Sequence, residues 1–133
     1  MDTTGDLLMT VARALRRRFG AAMAAWEITP GQARALRALC EAGSLRLSAL
    51  ADELRIAPRS ATEVVDALQS RGLVTRQPDP ADRRATSVVP TSEGRRLSAL
   101  LDEARTAQAE QLFAHLNAGD RAELERILQL LVE

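Results

Sequence analysis

One eleven-residue stretch, Asp79-Pro80-Ala81-Asp82-Arg83-Arg84-Ala85-Thr86-Ser87-Val88-Val89, constrains this chain more than any other. It opens with Pro/Asp turn residues, places two adjacent arginines at the tip and closes on a β-branched run. That is the pattern of a small hairpin with a cationic tip. Just before it, Pro58 to Arg71 reads as a helix with a polar, arginine-containing start. A helix followed by a basic hairpin points to a DNA-binding winged helix-turn-helix.

The rest of the chain reads as helices around that module. From Leu8, apolar residues at 8, 12, 15, 19, 22 and 26 follow helical spacing. Thr29-Pro30-Gly31-Gln32 supplies an N-cap, a proline at the first helical position and a capping box. That helix carries Ala33, Leu36, Leu39 and Cys40 on one side, and Gly43 ends it. Ser44 to Leu47 is a connector with room for one short strand. Ser48 is placed to cap a helix bearing Leu50, Ala51 and Leu54. In the helix from Pro58, the residues Ala61, Val64, Val65 and Leu68 define the face to be buried, and Gly72 terminates it. Leu73 to Gln77 and Thr86 to Val89 are the hairpin strands. Thr91 caps a long helix to about Leu116. Asn117 caps a last one, with Leu124, Ile127, Leu128 and Leu131 on its apolar face. The expected fold is mainly α with a small β-hairpin wing.

The 133 residues suit a single domain with a real core. No apolar run approaches the roughly 18 residues of a membrane span. The acidic, polar start Met1 to Asp6 does not read as a secretory signal. One cysteine precludes an internal disulfide, and the expected location is cytoplasmic. The formal net charge is zero, but its distribution is uneven. Residues 1–43 hold six arginines against four acids, 44–96 nine against seven, and 97–133 three against seven. All 18 basic residues are arginine. Every cationic contact to DNA must therefore use a guanidinium, which suits bidentate recognition.

Several stretches together resemble the MarR family of bacterial transcriptional regulators. They are Leu47-Ser48-Ala49-Leu50-Ala51, Pro58 to Leu68, Arg71-Gly72-Leu73-Val74, Asp79 to Thr86, and Pro90-Thr91-Ser92-Glu93-Gly94. Thr29-Pro30-Gly31-Gln32 is similar to that family's second helix. The resemblance implies one MarR-like domain over 1–133, with a winged helix-turn-helix lobe at 44–90. It implies dimerisation helices at 4–28 and 91–133, giving a homodimer on a pseudo-palindromic operator, usually repressing transcription. It also implies a small-molecule effector, often aromatic, that releases the DNA.

Candidate site residues follow. Arg59, Ser60, Thr62 and Glu63 lie off the buried face of the Pro58 helix, where serine, threonine, arginine and glutamate can meet phosphates or base edges. Some relatives carry a basic residue where Glu63 stands. The acid gives up a phosphate contact and repels the backbone unless it accepts from a cytosine. Arg83 and Arg84 are the wing arginines, one of which enters the minor groove in the resemblance. Asp82 is expected to pair with an arginine and fix the wing, and Arg76 is a further phosphate contact. Arg16-Arg17-Arg18 point in three directions on a helix and do not make one surface. Phe19, Met23 and Trp26 are spaced for one helix face. They read as core or dimer packing, with an apolar ligand pocket as the alternative. Cys40 reads as a buried, inert thiol rather than a redox sensor. With His115 the lone histidine, one chain cannot assemble a Cys/His zinc site. No cofactor, metal site or catalytic constellation is expected. The competing reading is a winged-helix module for protein–protein assembly, without its own operator.

Overall fold

A computed structural model describes residues 1–132. In chain order the elements are α1 (Thr4–Met23), a 3-10 turn (Ala24–Trp26), α2 (Pro30–Ala42), β1 (Leu45–Arg46), α3 (Leu47–Leu54), α4 (Pro58–Ser70), β2 (Val74–Pro78), β3 (Thr86–Pro90), α5 (Ser92–Phe113) and α6 (Ala118–Val132). The three strands form one antiparallel sheet in the order β1-β3-β2. The short strand for which Ser44 to Leu47 left room is β1, and it joins the expected hairpin as a third strand. No helix among the described residues is long and apolar enough to cross a membrane.

The chain divides into two compact units. One spans Met23–Glu103 and holds the core: Leu36 and Leu39 from α2, Leu50 from α3, Val65 and Leu68 from α4, with Val74 and Val88 from the sheet, all fully buried. Local chemistry explains the helices. Thr29 Oγ1 accepts from Gln32 N while Gln32 Oε1 accepts from Thr29 N, closing the capping box of α2. α3 starts two residues earlier than a Ser48 cap would place it. Its N-cap is Arg46, which has no side-chain cap bond, because the chain enters the helix directly from β1. Val64 is half-buried rather than buried, and Cys40 is half-buried too, so the thiol is not sealed in the core.

The wing is anchored at its base by α5. Thr91 N donates to Leu73 O at 3.0 Å and Thr91 Oγ1 donates to Gly72 O at 2.7 Å. Gly94 N then donates to Thr91 Oγ1 at 3.0 Å, so one threonine caps α5 and ties it to the start of β2. A Cβ at Gly94 would lie 2.0 Å from Leu73 O and 3.3 Å from Leu36 Cδ1. Only glycine lets the helix come this close. At this same end of α4, Arg71 donates to the carbonyls of Trp26 at 2.8 Å and Glu27 at 3.0 Å. Glu27 holds a left-handed φ of 52°, which ends the 3-10 turn.

The second unit comprises Met1–Ala22 and the chain from Ala104 onward. It is helical throughout apart from the short ends and the α5–α6 turn. Thr3 and Asp6 cap α1 reciprocally, and Asn117 Oδ1 accepts from Asp120 N to cap α6. Arg121 pairs with Glu110 and stands 5.3 Å from the Phe113 ring centre, while Arg105 stands 4.9 Å from that of Phe19. None of its described residues is fully buried. Leu7, Leu8, Met9 and Val11 on α1 are exposed, as are Ile127, Leu130 and Leu131 on α6, Leu131 at 66%. Leu124 and Leu128 are half-buried.

Replacing Gly94 with alanine is expected to cost about 2 kcal/mol or more, because backbone rather than a flexible side chain must yield. Gly31→Ala, on α2 with nothing within 4 Å, is expected to be neutral or to stabilise by up to about 1 kcal/mol. Thermal unfolding of the two variants checks the contrast.

Candidate nucleic-acid interface

α4 presents a polar first turn. Pro58 occupies the first helical position and the N-cap, Ala57, is extended with no side-chain cap bond. The opening N–H groups of the helix therefore keep no side-chain acceptor. Arg59, Thr62 and Glu63 are exposed and Ser60 is half-buried, opposite the buried Ala61, Val65 and Leu68. Thr62 Oγ1 donates to Pro58 O at 3.1 Å, so its hydroxyl hydrogen is already committed. Arg59 and Glu63 have neither a hydrogen bond nor an ion pair among the described residues.

The wing tip is built by carboxylates. Arg46 Nε, on β1, donates to Asp79 Oδ2 at 2.7 Å, and the Asp79 side chain is only 13% exposed. The other oxygen, Asp79 Oδ1, accepts from Ala81 N at 2.8 Å and Asp82 N at 3.3 Å. Asp79 N donates to Ala85 O and closes the loop over strand pair Pro78–Thr86. Above all the Arg46 hydrogen bond, then the Ala81 amide, pushes the Asp79 carboxyl down to about 2. Asp82 Oδ1 accepts from Arg84 N at 3.1 Å and Arg84 Nε at 3.2 Å, which lowers the Asp82 pKa as well. The arginine expected opposite Asp82 is thus Arg84, whose side chain is still 93% exposed. Arg83 is exposed and has no hydrogen bond or ion pair among the described residues.

Arg76 sits differently from a free phosphate contact. It is half-buried on β2 and donates to Asp66 Oδ1 at 2.5 Å and to Gln69 Oε1, clamping the strand to α4. Phe19, Met23 and Trp26 do not share a helix face. α1 stops at Met23, which is buried, and Trp26 belongs to the 3-10 turn beyond it. Phe19 falls in one compact unit and the other two residues in the second. Sequence reasoning missed Arg46 and Arg71. Their partners lie 33 residues away for Arg46 and 44 and 45 residues away for Arg71, and Arg71 meets backbone carbonyls that no side-chain pattern marks. No group of metal-ligating residues is present among those described.

The MarR family model matches residues 28–86, from the residue before the α2 cap to the first residue of β3. A helix-turn-helix-type transcriptional regulator of Mycobacterium leprae is 30% identical over 95% of this chain and 85% of its own length. The chain belongs to the MarR family. Members are DNA-binding transcription regulators rather than enzymes. A transcriptional repressor of Mycobacterium bovis is 27% identical, covering 96% of this chain and 91% of the relative. The reduced form of E. coli MarR superposes with a TM-score of 0.91 at 25% identity, over 100% of this chain and 98% of that one. A cysteine-to-serine mutant of E. coli MarR with operator DNA gives a TM-score of 0.79 at 25% identity, covering 97% and 93%. Two further regulators are longer, and the chain spans 59% and 63% of them. The MarR lobe here is thus the winged helix-turn-helix of β1 to β3, packed on α2.

The Asp79 linkage has a definite sign. A carboxyl whose folded pKa is depressed stabilises the fold above its unfolded value of roughly 3.9 and loses that contribution as pH falls through the folded value. Amide exchange at Ala81 and Asp82 is therefore expected to be slow at neutral pH and to lose its protection between pH 4 and about 2. In Arg46→Ala the loss begins at higher pH, while the amides of α2 keep their protection. An unchanged profile in Arg46→Ala would remove the ion pair as the cause.

Proposed function

We propose that this MarR-family chain is a cytoplasmic homodimeric repressor that binds a pseudo-palindromic operator. The exposed, unpaired first turn of α4 beside a wing whose tip offers one unspent guanidinium, Arg83, carries this reading. In it, Arg59, Ser60, Thr62 and Glu63 enter the major groove and Arg83 the minor groove, whose negative potential draws arginine. Arg84, held by Asp82, and Arg76, held by Asp66, keep the wing in place and add positive field near the phosphates.

Dimerisation is supported by the helical unit that buries none of its described residues, with leucines of α1 and α6 left in water. Such a surface gains from a second copy. Two copies place their recognition helices on half-sites about one helical turn apart, roughly 34–36 Å. Release by a small, often aromatic, molecule belongs to the same reading on the strength of the family alone.

Arg83→Ala is expected to weaken operator binding tenfold or more in a gel-shift assay, and Arg84→Ala less, with sedimentation and melting unchanged. Equal losses would put both arginines in the groove, and no loss in either would remove the wing from the interface. Wild-type affinity should fall steeply with salt as phosphate counterions are released. Weak binding that ignores sequence would favour an assembly module instead. In sedimentation the protein should run as a dimer at micromolar concentration, and a monomer there would undo the two-half-site arrangement.

A further inference from the structure

Arg59 and Glu63 stand one turn apart on the exposed face of α4 and carry opposite charges. At that spacing a helix usually pairs them. The same chain does so on α2, where Arg37 Nε meets Glu41 Oε1 at 3.1 Å in the same order and spacing. On α4 neither side chain is spent. Their charges cancel, so the pair adds nothing to the general attraction of a phosphate backbone. A carboxylate on a DNA-facing turn costs affinity wherever it meets phosphate, and it recovers that cost only at a base amino group.

The geometry points to an operator half-site that carries guanine and cytosine under α4: we propose that Arg59 reads a guanine and Glu63 a cytosine within about two base pairs of it. This rests on the operator reading above. In the major groove guanine offers O6 and N7, two acceptors matched by a guanidinium fork. Cytosine offers its N4 amino group, a donor matched by a carboxylate, whereas adenine sets the acceptor N7 beside its amino group and repels one. Four helical residues rise about 6 Å and stacked base pairs about 3.4 Å, which sets the two-pair window. Thr62 sits between them with its hydroxyl donated to Pro58 O, so it offers a base no hydroxyl hydrogen.

Selection of bound DNA from a random pool tests this with the full chain. Wild type should enrich a half-site containing both a guanine and a cytosine within that window. Glu63→Gln turns the acceptor into an amide suited to adenine, and should shift one position per half-site from cytosine to adenine. Arg59→Ala should lose its guanine. Each preference should change roughly 5- to 150-fold, the worth of one good base contact. The exposed positions leave melting unchanged in both variants, which checks the fold. A wild-type site without G·C pairs, or an identical site selected by Glu63→Gln, would overturn this assignment while leaving the operator reading intact. Enrichment of no sequence at all would overturn both.

Discussion

The carbonyl of Leu73 holds the DNA lobe together. It accepts the amide of Thr91 and lies against the bare Cα of Gly94. Four segments converge there: the end of α4, the start of β2, the end of β3 and the first turn of α5. A hairpin alone is marginal in water. This one is stitched at its base to a helix and backed by Val74 and Val88, both fully buried. Because β2 leaves from that junction, these backbone contacts help to set the aim of the wing relative to α4. Arg71 and Arg76 add ties from α4 to the Trp26–Glu27 turn and to β2.

Charge in the lobe is divided between guanidinium groups that are paired and guanidinium groups that are not. Arg46, Arg71, Arg76 and Arg84 each have a fixed acceptor within the chain. Arg59 and Arg83 have none among the described residues. A neutral protein does not need a broadly basic face to present cations to DNA; it needs a few guanidinium groups that its own carboxylates leave alone. Asp79 does the converse work. It is held ionised by Arg46 and turns that charge into backbone order at Ala81 and Asp82.

Much of this was legible in the residues where the governing chemistry is local. The caps at Thr29, Thr91 and Asn117 are four-residue motifs and appear where the pattern puts them. The exposed face of α4 follows from the 3.6-residue period of Ala61, Val65 and Leu68. Ser48 misled because β1 is two residues long, too short for an alternation to register, and runs straight into α3. Trp26 misled because its spacing from Phe19 and Met23 fits a helix, whereas the chain tightens into a 3-10 turn after Met23 and Trp26 ends that turn. The Arg46–Asp79 pair was out of reach because adjacency across a sheet edge leaves no trace in spacing along the chain.

The unit built from α1, the end of α5 and α6 has caps, ion pairs and cation–π contacts but buries none of its described residues. Helices in water draw most of their stability from packing, not from propensity. If the exposed leucines of this unit close against a second copy, as proposed above, the amount of protein present becomes a term in its folding. For self-association, each tenfold rise in concentration shifts the balance by about 1.4 kcal/mol. A cell making few copies would then hold chains with a formed DNA lobe and loosened arms, and one making many would hold complete molecules. The dose at which such a regulator begins to act would be written into its helices before any promoter is considered.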